Sequence, residues 1–172
     1  VFSVEYTDGF LVKAGGGEYQ ADAVLLATGA SRKAPNIAGL QALEGSGVSY
    51  CAVCDGAFFK DRDVCVIGGG NAALEESLYL TQFARKLTIV IRRDIFRAEA
   101  HVQKQIEENE KIEIIRRHVP VRILDDGMKV NGIVLRDVDS GDEQTLEVSG
   151  IFPYIGQDPA VSFLQGLDVL DE

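Results

Sequence analysis

The sequence is poor in several residue types that define particular protein classes. Among its 172 residues there are no tryptophan, one methionine, two histidines and three cysteines. Three cysteines do not supply the paired framework of a small secreted protein. No apolar run approaches the roughly 20 residues of a transmembrane helix, and the first residues lack the basic and apolar regions of a signal peptide. We therefore expect a cytoplasmic, globular protein.

Positive charge is also scarce. The chain has 17 lysines and arginines against 27 aspartates and glutamates, which gives a formal net charge of -10. A surface this acidic repels nucleic acid and anionic membranes, so neither is expected as a partner. Any anionic ligand must therefore be bound by a local cluster of basic residues.

The first part of the sequence predicts β structure followed by a linker. Strands are expected at Phe2–Tyr6, Phe10–Lys13 and Gln20–Thr28, with glycine-containing turns between them. Residues 23–27 are apolar throughout, which predicts a strand buried on both faces of a sheet. Residues 31–47, which are polar and contain proline and glycine, are expected to form a linker.

The middle of the sequence predicts one βαβ unit followed by an antiparallel meander. The expected elements are, in chain order, a strand at Asp63–Ile67, a helix at 72–84, a strand at Leu87–Ile91, a helix at Ala98–Asn109, a strand at Lys111–Arg116, the meander at Val119–Val148 and a strand at Gly150–Ile155. The continuous apolar runs of the first two strands are typical of parallel strands that are covered on both faces.

A glycine turn joins the first of these strands to its helix. It reads Gly68-Gly69-Gly70-Asn71-Ala72-Ala73, which matches the dinucleotide fingerprint with alanine in the third small position. The first glycine makes the tight turn, the second lets a pyrophosphate approach the backbone, and the small third residue lets helix and strand pack closely. The pattern alone is weak, but here it follows a buried strand and begins a helix, as a nucleotide site requires.

Basic residues follow the second strand, where the two nicotinamide nucleotides are distinguished. An NAD site places an acidic residue there to bind the ribose 2′-hydroxyl, whereas Arg92, Arg93 and Arg97 favour a 2′-phosphate and therefore NADP. Arg92 follows Gly68 at close to the roughly 20-residue spacing of that selecting position. The plainer alternative is a solvated basic patch, but arginines clustered at this position of an acidic chain favour the phosphate.

Two of the cysteines form the motif Cys51-Ala52-Val53-Cys54. Such a motif serves as half of a zinc site or as a dithiol redox pair, or it arises by coincidence. Cys65 falls on a predicted buried strand and neither histidine has a ligand-like spacing to the pair, so no metal site is expected. Asp55 directly follows the pair. A carboxyl there can carry the proton that thiol–disulfide exchange requires, although on position alone a simple turn residue is the plainer alternative.

Together these motifs resemble the bacterial low-molecular-weight thioredoxin reductases. The resemblance rests on the cysteine motif with Asp55-Gly56, on the glycine turn as far as Glu76, and on Arg92–Ala98, in that order and spacing. On either side, Ala27–Ala30 is similar to the family's flavin-domain motif, and Tyr154–Pro159 is similar to its motif at the second domain crossing. The resemblance covers essentially the whole chain.

The resemblance implies a fold and cofactors. The expected fold is α/β, a Rossmann-like three-layer NAD(P)-binding domain with a central parallel sheet, one helical face and an antiparallel β-meander, plus β remnants of an FAD domain. Residues 1–34 are expected to belong to the FAD domain and include the first hinge, 35–157 to form the NADPH-binding domain with the cysteine pair, and 158–172 to begin the return into the FAD domain. FAD is expected in the full-length protein, a homodimer, but not on this chain alone.

The resemblance also implies roles for individual residues. The full-length protein would be an NADPH-dependent thioredoxin-disulfide reductase, in which electrons pass from NADPH to FAD, to the Cys51–Cys54 pair and finally to thioredoxin. Cys54 would face the flavin, Cys51 would attack thioredoxin, and Asp55 would act as the acid. The residues expected to bind the cofactor are Gly68, Gly69, Gly70, Asn71, Ala72, Ala73, Glu76, Arg92, Arg93, Arg97, Ile155 and Gly156.

The sequence departs from the family pattern in several places. Val53, Ala72 and Ile91 stand where the family commonly has threonine, a hydroxyl residue and histidine, which bears on cofactor affinity but removes no reacting group. The glycine-rich flavin fingerprint and the closing Gly-Asp segment are both absent. The chain is therefore expected to be a truncated fragment that is inactive alone, with its apolar 23–27 strand an exposed edge.

Two other functions fit the same motifs. One is a peroxiredoxin-reductase flavoprotein subunit, which shares these motifs and carries a further N-terminal part. The other is a nucleotide-binding module with a regulatory dithiol and no catalysis.

Overall fold

The computed structural model of the chain describes residues 1–33 and 35–167. They fall into two compact units, one formed by residues 1–33 with 157–167 and the other by residues 35–156. The predicted segment boundary at residue 34 and the end of the predicted return segment, residues 168–172, lie outside the described residues.

The helices and strands follow one another in this order: β1 (Ser3–Tyr6), β2 (Phe10–Ala14), β3 (Gly17–Ala21), β4 (Ala30–Arg32), α1 (Ala52–Asp55), β5 (Asp63–Ile67), α2 (Asn71–Leu80), β6 (Lys86–Val90), α3 (Ala100–Glu107), β7 (Ile112–Ile115), β8 (His118–Asp125), β9 (Val130–Asp137), β10 (Glu143–Leu146), β11 (Gly150–Pro153) and β12 (Gln157–Pro159). Short 3-10 helices occupy Gly56–Phe59 and Ser162–Leu164.

The smaller unit contains two small antiparallel sheets. Strands β1, β2 and β3 pair in sequence order, and β4 pairs with β12. The first two strands confirm the prediction from sequence, since only their last or first residues differ.

The third predicted strand, Gln20–Thr28, is wrong over most of its length. Strand β3 ends at Ala21, and residues 23–29 are in neither helix nor strand. Leu25 is 92% exposed and Leu26 is 44% exposed. An apolar run forms a strand only if neighbouring strands accept its backbone hydrogen bonds. Within the described chain, residues 23–27 pair with no neighbouring strand, so the expected burial on both faces does not occur.

A parallel sheet forms the centre of the larger unit. Its strands lie in the order β11-β5-β6-β7, and all three neighbouring pairs are parallel. Strand β5 agrees with the prediction, and its side chains alternate between the two faces of the sheet. Val64 and Val66 belong to one hydrophobic cluster, whereas Cys65 and Ile67 belong to the other.

Helices α2 and α3 cover one face of this sheet. Helix α2 buries Leu74 and Leu80 on the side that faces β5 and β6, and α3 buries Val102 and Ile106 at the four-residue spacing of one helix face. Helix α2 begins one residue earlier and ends four residues earlier than predicted, and α3 is two residues shorter at each end. Differences of this size are usual for boundaries predicted from periodicity.

The antiparallel strands β8, β9 and β10 cover the other face, as predicted. Residues 31–47, predicted to be a linker, are built into this layer in part. Ile37, Leu40 and Leu43 are all buried in the same cluster as Ile133 and Leu135 of β9. Burial of these three apolar side chains stabilises the folded state more than their exposure in a solvated linker would. The polar residues around them hide this pattern in the sequence.

The predicted fold class is confirmed. A parallel sheet lies between a helical layer and an antiparallel meander, and the remaining unit is made of β strands. The helices in the described part of the chain are too short or too polar to span a bilayer.

Candidate active site

Cys51 immediately precedes α1, a single turn of helix, and Cys54 lies within it. They are joined by a disulfide, with their Cα atoms 5.3 Å apart. Cys51 is the N-cap, and the backbone N–H of Cys54 donates a hydrogen bond to its Sγ atom over 3.2 Å. Cys54 is exposed, whereas Cys51 is half-buried. In the reduced state the same N–H would favour a thiolate on Cys51, because a hydrogen bond to the charged form stabilises that form.

Ser49, which the sequence reasoning missed, holds Asp55 in place. Its Oγ donates to Oδ2 of Asp55 over 2.6 Å and accepts a hydrogen bond from the N–H of Cys51 over 3.1 Å. Ser49 is itself buried, and its backbone N–H bonds to the carbonyl of Ile151 in β11. Asp55 is thus oriented against the cysteine helix by a side chain fixed to the parallel sheet.

Tyr154 and Glu76 contact the same helix from other elements. The backbone N–H of Ala52 lies 3.0 Å from Oη of Tyr154 and 3.2 Å from Oε2 of Glu76. Tyr154 follows β11, and Glu76 belongs to α2. Glu76, predicted from the resemblance to bind cofactor, therefore also contacts Ala52, one of the two residues between the cysteines.

The glycine turn has the shape that its sequence predicts. Gly68 has φ +136°, and a Cβ atom there would lie 2.1 Å from the carbonyl oxygen of Tyr154, so only glycine fits. A Cβ on Gly69 would meet Ile91 and Phe96 at 3.0 and 3.2 Å. Nothing lies within 4 Å of a Cβ built on Gly70, the N-cap of α2. The turn is closed at Gly68 and open at Gly70.

The start of α2 follows from these glycines. No side chain caps the helix at Gly70. Ala72 is exposed, whereas Ala73 is fully buried against the sheet. An uncapped helix N-terminus next to an open backbone is suited to bind an anion, because its first N–H groups have no partner in the helix.

The arginine segment lies beside this turn. The backbone N–H of Arg97 donates to the carbonyl of Gly69 over 2.7 Å, and that of Glu99 donates to Oδ1 of Asn71 over 2.8 Å. The side chains of Arg92, Arg93 and Arg97 are exposed, and no ion pair joins them to any carboxylate in the described part of the chain. The fold thus brings the predicted turn and the predicted arginines together and leaves the three positive charges available.

Two further arginines, which the sequence reasoning did not identify, fix the position of this segment. Arg117 pairs with Oδ2 of Asp94 over 2.8 Å and with both carboxylate oxygens of Asp139. Arg116 donates from Nε to the carbonyl of Asp94 over 2.9 Å, and its guanidinium lies 5.7 Å from the centre of the Phe96 ring. These pairings join the residues just after β7 to the segment after β6 and to Asp139 after β9, so no local pattern indicates them.

The remaining predicted positions lie at the end of β11. Ile155 packs partly buried against the meander-side cluster, and Gly156 has φ +104°.

Cys65 is fully buried in β5, and burial raises the pKa of its thiol to about 12, so it is an unreactive core residue. Within residues 1–33 and 35–167, no three His, Cys, Asp or Glu side chains are grouped as metal ligands would be.

A glycine turn with the dinucleotide fingerprint and a cysteine pair lie in the same unit, a combination typical of nucleotide-dependent disulfide oxidoreductases. The sequence matches the family described as pyridine nucleotide-disulphide oxidoreductase over residues 1–170. The chain belongs to this family, which confirms the membership predicted from its motifs.

The similar proteins within this family are thioredoxin reductases. The chain is 43% identical over 162 residues to the thioredoxin reductase of Bacillus subtilis (strain 168), a match that covers 94% of this chain and 51% of the relative. It is 44% identical over 161 residues to the thioredoxin reductase of Listeria innocua serovar 6a, covering 94% and 50%. The crystal structure of Lactococcus lactis thioredoxin reductase in its FR conformation superposes with a TM-score of 0.84 at 38% identity, over 99% of this chain and 57% of that one. The chain thus spans about half the length of the curated relatives it matches.

Proposed function

We propose that the chain is the NADPH-binding and disulfide-bearing part of an NADPH-dependent thioredoxin-disulfide reductase. The observation that carries the proposal is the Cys51–Cys54 disulfide in one compact unit with the open glycine turn and three unpaired arginines. The names of the relatives favour this function over a peroxiredoxin-reductase subunit or a regulatory module. On this proposal, residues 1–34 and 158–172 belong to the flavin-binding domain of a longer, homodimeric, cytoplasmic protein.

The described residues fit a nicotinamide nucleotide. Gly70 leaves space for a pyrophosphate, the uncapped start of α2 supplies N–H groups for its oxygens, and the exposed arginines suit a 2′-phosphate. When bound, the nucleotide and the flavin supply the two electrons that convert the disulfide to a dithiol. We propose NADPH rather than NADH as the nucleotide, because Arg92, Arg93 and Arg97 have no ion-pair partner in the described chain and remain available for the 2′-phosphate.

The reduced cysteines carry the rest of the reaction. The Cys51 thiolate attacks a sulfur of the thioredoxin disulfide, which forms a mixed disulfide, and the departing thiolate takes a proton from Asp55. The Cys54 thiol then attacks the sulfur of Cys51 and gives up its proton, which the second thioredoxin sulfur takes as it leaves, and the Cys51–Cys54 bond is restored. Each turn moves two electrons and two protons to thioredoxin. The side chains of Val53 and Phe58, 64% and 82% exposed, offer apolar surface beside the pair for a protein partner.

The proposal is tested by one turnover of the reduced chain, which needs neither nucleotide nor flavin. The chain is reduced, freed of reductant and mixed with oxidised thioredoxin, and we expect one thioredoxin disulfide to be reduced for each chain. Cys54→Ser should accumulate the mixed disulfide through Cys51, detectable as a covalent complex, while Cys51→Ser should accumulate much less. Failure of the wild-type chain to reduce thioredoxin would contradict the function. Preferential trapping by Cys51→Ser would reverse the two roles.

Ser49→Ala is expected to slow the reaction of the dithiol with a small aromatic disulfide by about tenfold, because Asp55 loses the hydroxyl that orients it and the N–H of Cys51 loses its acceptor. The measurement is the stopped-flow rate as a function of pH. Ser49→Thr should restore the rate, since it keeps the hydroxyl.

The matched comparison for Ser49→Ala is Asp55→Asn. If the two residues act together, the double variant should be no slower than the slower single variant. An unchanged rate and pH profile in Ser49→Ala would show that Asp55 does not need this contact.

A further inference from the structure

The backbone N–H between the two cysteines has an unusual environment. Ala52 is fully buried, and its N–H faces two side-chain acceptors, Oη of Tyr154 at 3.0 Å and Oε2 of Glu76 at 3.2 Å. In a free helical turn this N–H would face solvent or a cap. Here it is shared between residues that lie 102 and 24 positions away in the sequence.

The two acceptors are also bonded to each other. The hydroxyl of Tyr154 lies 3.4 Å from Oε2 of Glu76 and donates to it. Burial raises the pKa of Tyr154, and the neighbouring Glu76 carboxylate raises it further, so the hydroxyl keeps its proton. The carboxyl group of this cluster is that of Glu76, and its Oε2 faces the N–H of Ala52 in the cysteine helix.

Both residues are anchored by the nucleotide turn. The backbone N–H of Tyr154 donates to the carbonyl of Ile67 over 2.7 Å, and the carbonyl of Tyr154 lies against Gly68. Glu76 belongs to the helix that begins at the same turn. The cluster thus joins the rigid edge of the parallel sheet to the single turn of helix that carries the disulfide.

We propose that Glu76 and Tyr154 are positioning residues that set the reduction potential of the Cys51–Cys54 pair and make its dithiol a stronger reductant. The disulfide is uncharged, but its reduced form carries thiolate character that a nearby carboxylate disfavours. A less stable reduced form corresponds to a lower potential. The inference deepens the proposed function and rests on the pair cycling between disulfide and dithiol.

The potential is measured on the whole chain with glutathione alone. Two glutathione thiols are oxidised to glutathione disulfide as the Cys51–Cys54 bond takes up two electrons and two protons. The reduced fraction is read by mass after alkylation under denaturing conditions. Because the chain has three cysteines, the reduced form takes three labels and the disulfide form takes one, on Cys65.

Glu76→Gln keeps the size and an acceptor oxygen but removes the charge. We expect it to shift the equilibrium towards the dithiol by about tenfold, which corresponds to about 30 mV for a two-electron couple. Tyr154→Phe keeps the aromatic ring and should shift the equilibrium in the same direction but by less. The reason is that Glu76 loses the hydroxyl that orients its carboxyl group. The double variant should shift it no further than Glu76→Gln alone.

Glu75→Gln is the matched control, since it removes the same charge from the next, exposed position of α2. Its potential should equal that of the wild type. An unchanged potential in folded Glu76→Gln, or an equal shift in Glu75→Gln, would overturn the proposal. Because no nucleotide, flavin or thioredoxin takes part, these outcomes are independent of whether the chain serves a thioredoxin reductase.

Discussion

Gly68→Ala is expected to destabilise the larger unit by about 3–5 kcal/mol, from the strain of a non-glycine residue at positive φ added to overpacking. A Cβ at this position would lie 2.1 Å from the carbonyl oxygen of Tyr154 and 2.9 Å from its carbonyl carbon. Both are backbone atoms of the segment that leaves β11, so neither can move aside without breaking the end of the parallel sheet. Urea unfolding followed by circular dichroism measures the loss.

Gly70→Ala is the control that separates stability from binding. Gly70 has φ -94° and ψ 177°, an extended conformation that any residue adopts, and its Cβ would meet nothing within 4 Å. The free energy of unfolding of the Gly70→Ala variant should therefore differ from that of the wild type by less than about 0.5 kcal/mol. If the turn binds a pyrophosphate, the added methyl group should still weaken nucleotide binding by roughly tenfold or more, because it occupies the space the phosphates approach. Equal destabilisation by both substitutions would contradict this description of the turn.

This contrast also shows how far the sequence predicts the fold. The apolar run at Asp63–Ile67, the glycine turn and the following helix are local patterns, and each appears within a few residues of its expected position. The same reasoning fails for residues 23–27. An apolar run indicates a buried strand only if a sheet is there to receive it, and that condition depends on residues outside the run.

The candidate site divides along the same line. The sequence predicts the cysteine pair, the turn and the arginines, because each is a contiguous motif. Ser49 belongs to no predicted motif, and Tyr154 begins the motif at residues 154–159 but has no predicted role of its own. The importance of both comes from contacts that only the folded chain creates. Arg117 is similar, since it braces the arginine segment through Asp94, 23 positions away. Such contacts are set by the register of β11 and β7 in the sheet, which local periodicity does not define.

Replacing Arg92 and Arg97 together with alanine is expected to weaken NADPH binding by on the order of 100-fold, since each charge-assisted hydrogen bond to phosphate contributes about tenfold or more. NADH binding should hardly change, because NADH lacks the 2′-phosphate. The measurement is a fluorescence titration of the reduced nucleotides on the wild-type chain and the variant. The wild-type chain should bind NADPH much more tightly than NADH.

The side chains of Arg92 and Arg97 form no ion pair within the described chain. Their removal should leave the unfolding free energy nearly unchanged, so weaker binding cannot be attributed to misfolding. Arg136→Ala is the matched control: it removes the same charge from the meander, where Arg136 pairs with Glu143, and should leave NADPH affinity unaltered. In a chain of net charge -10, an anionic nucleotide gains nothing from the global field. Equal affinity of the wild-type chain for NADPH and NADH would therefore show that the three arginines are a solvated basic patch.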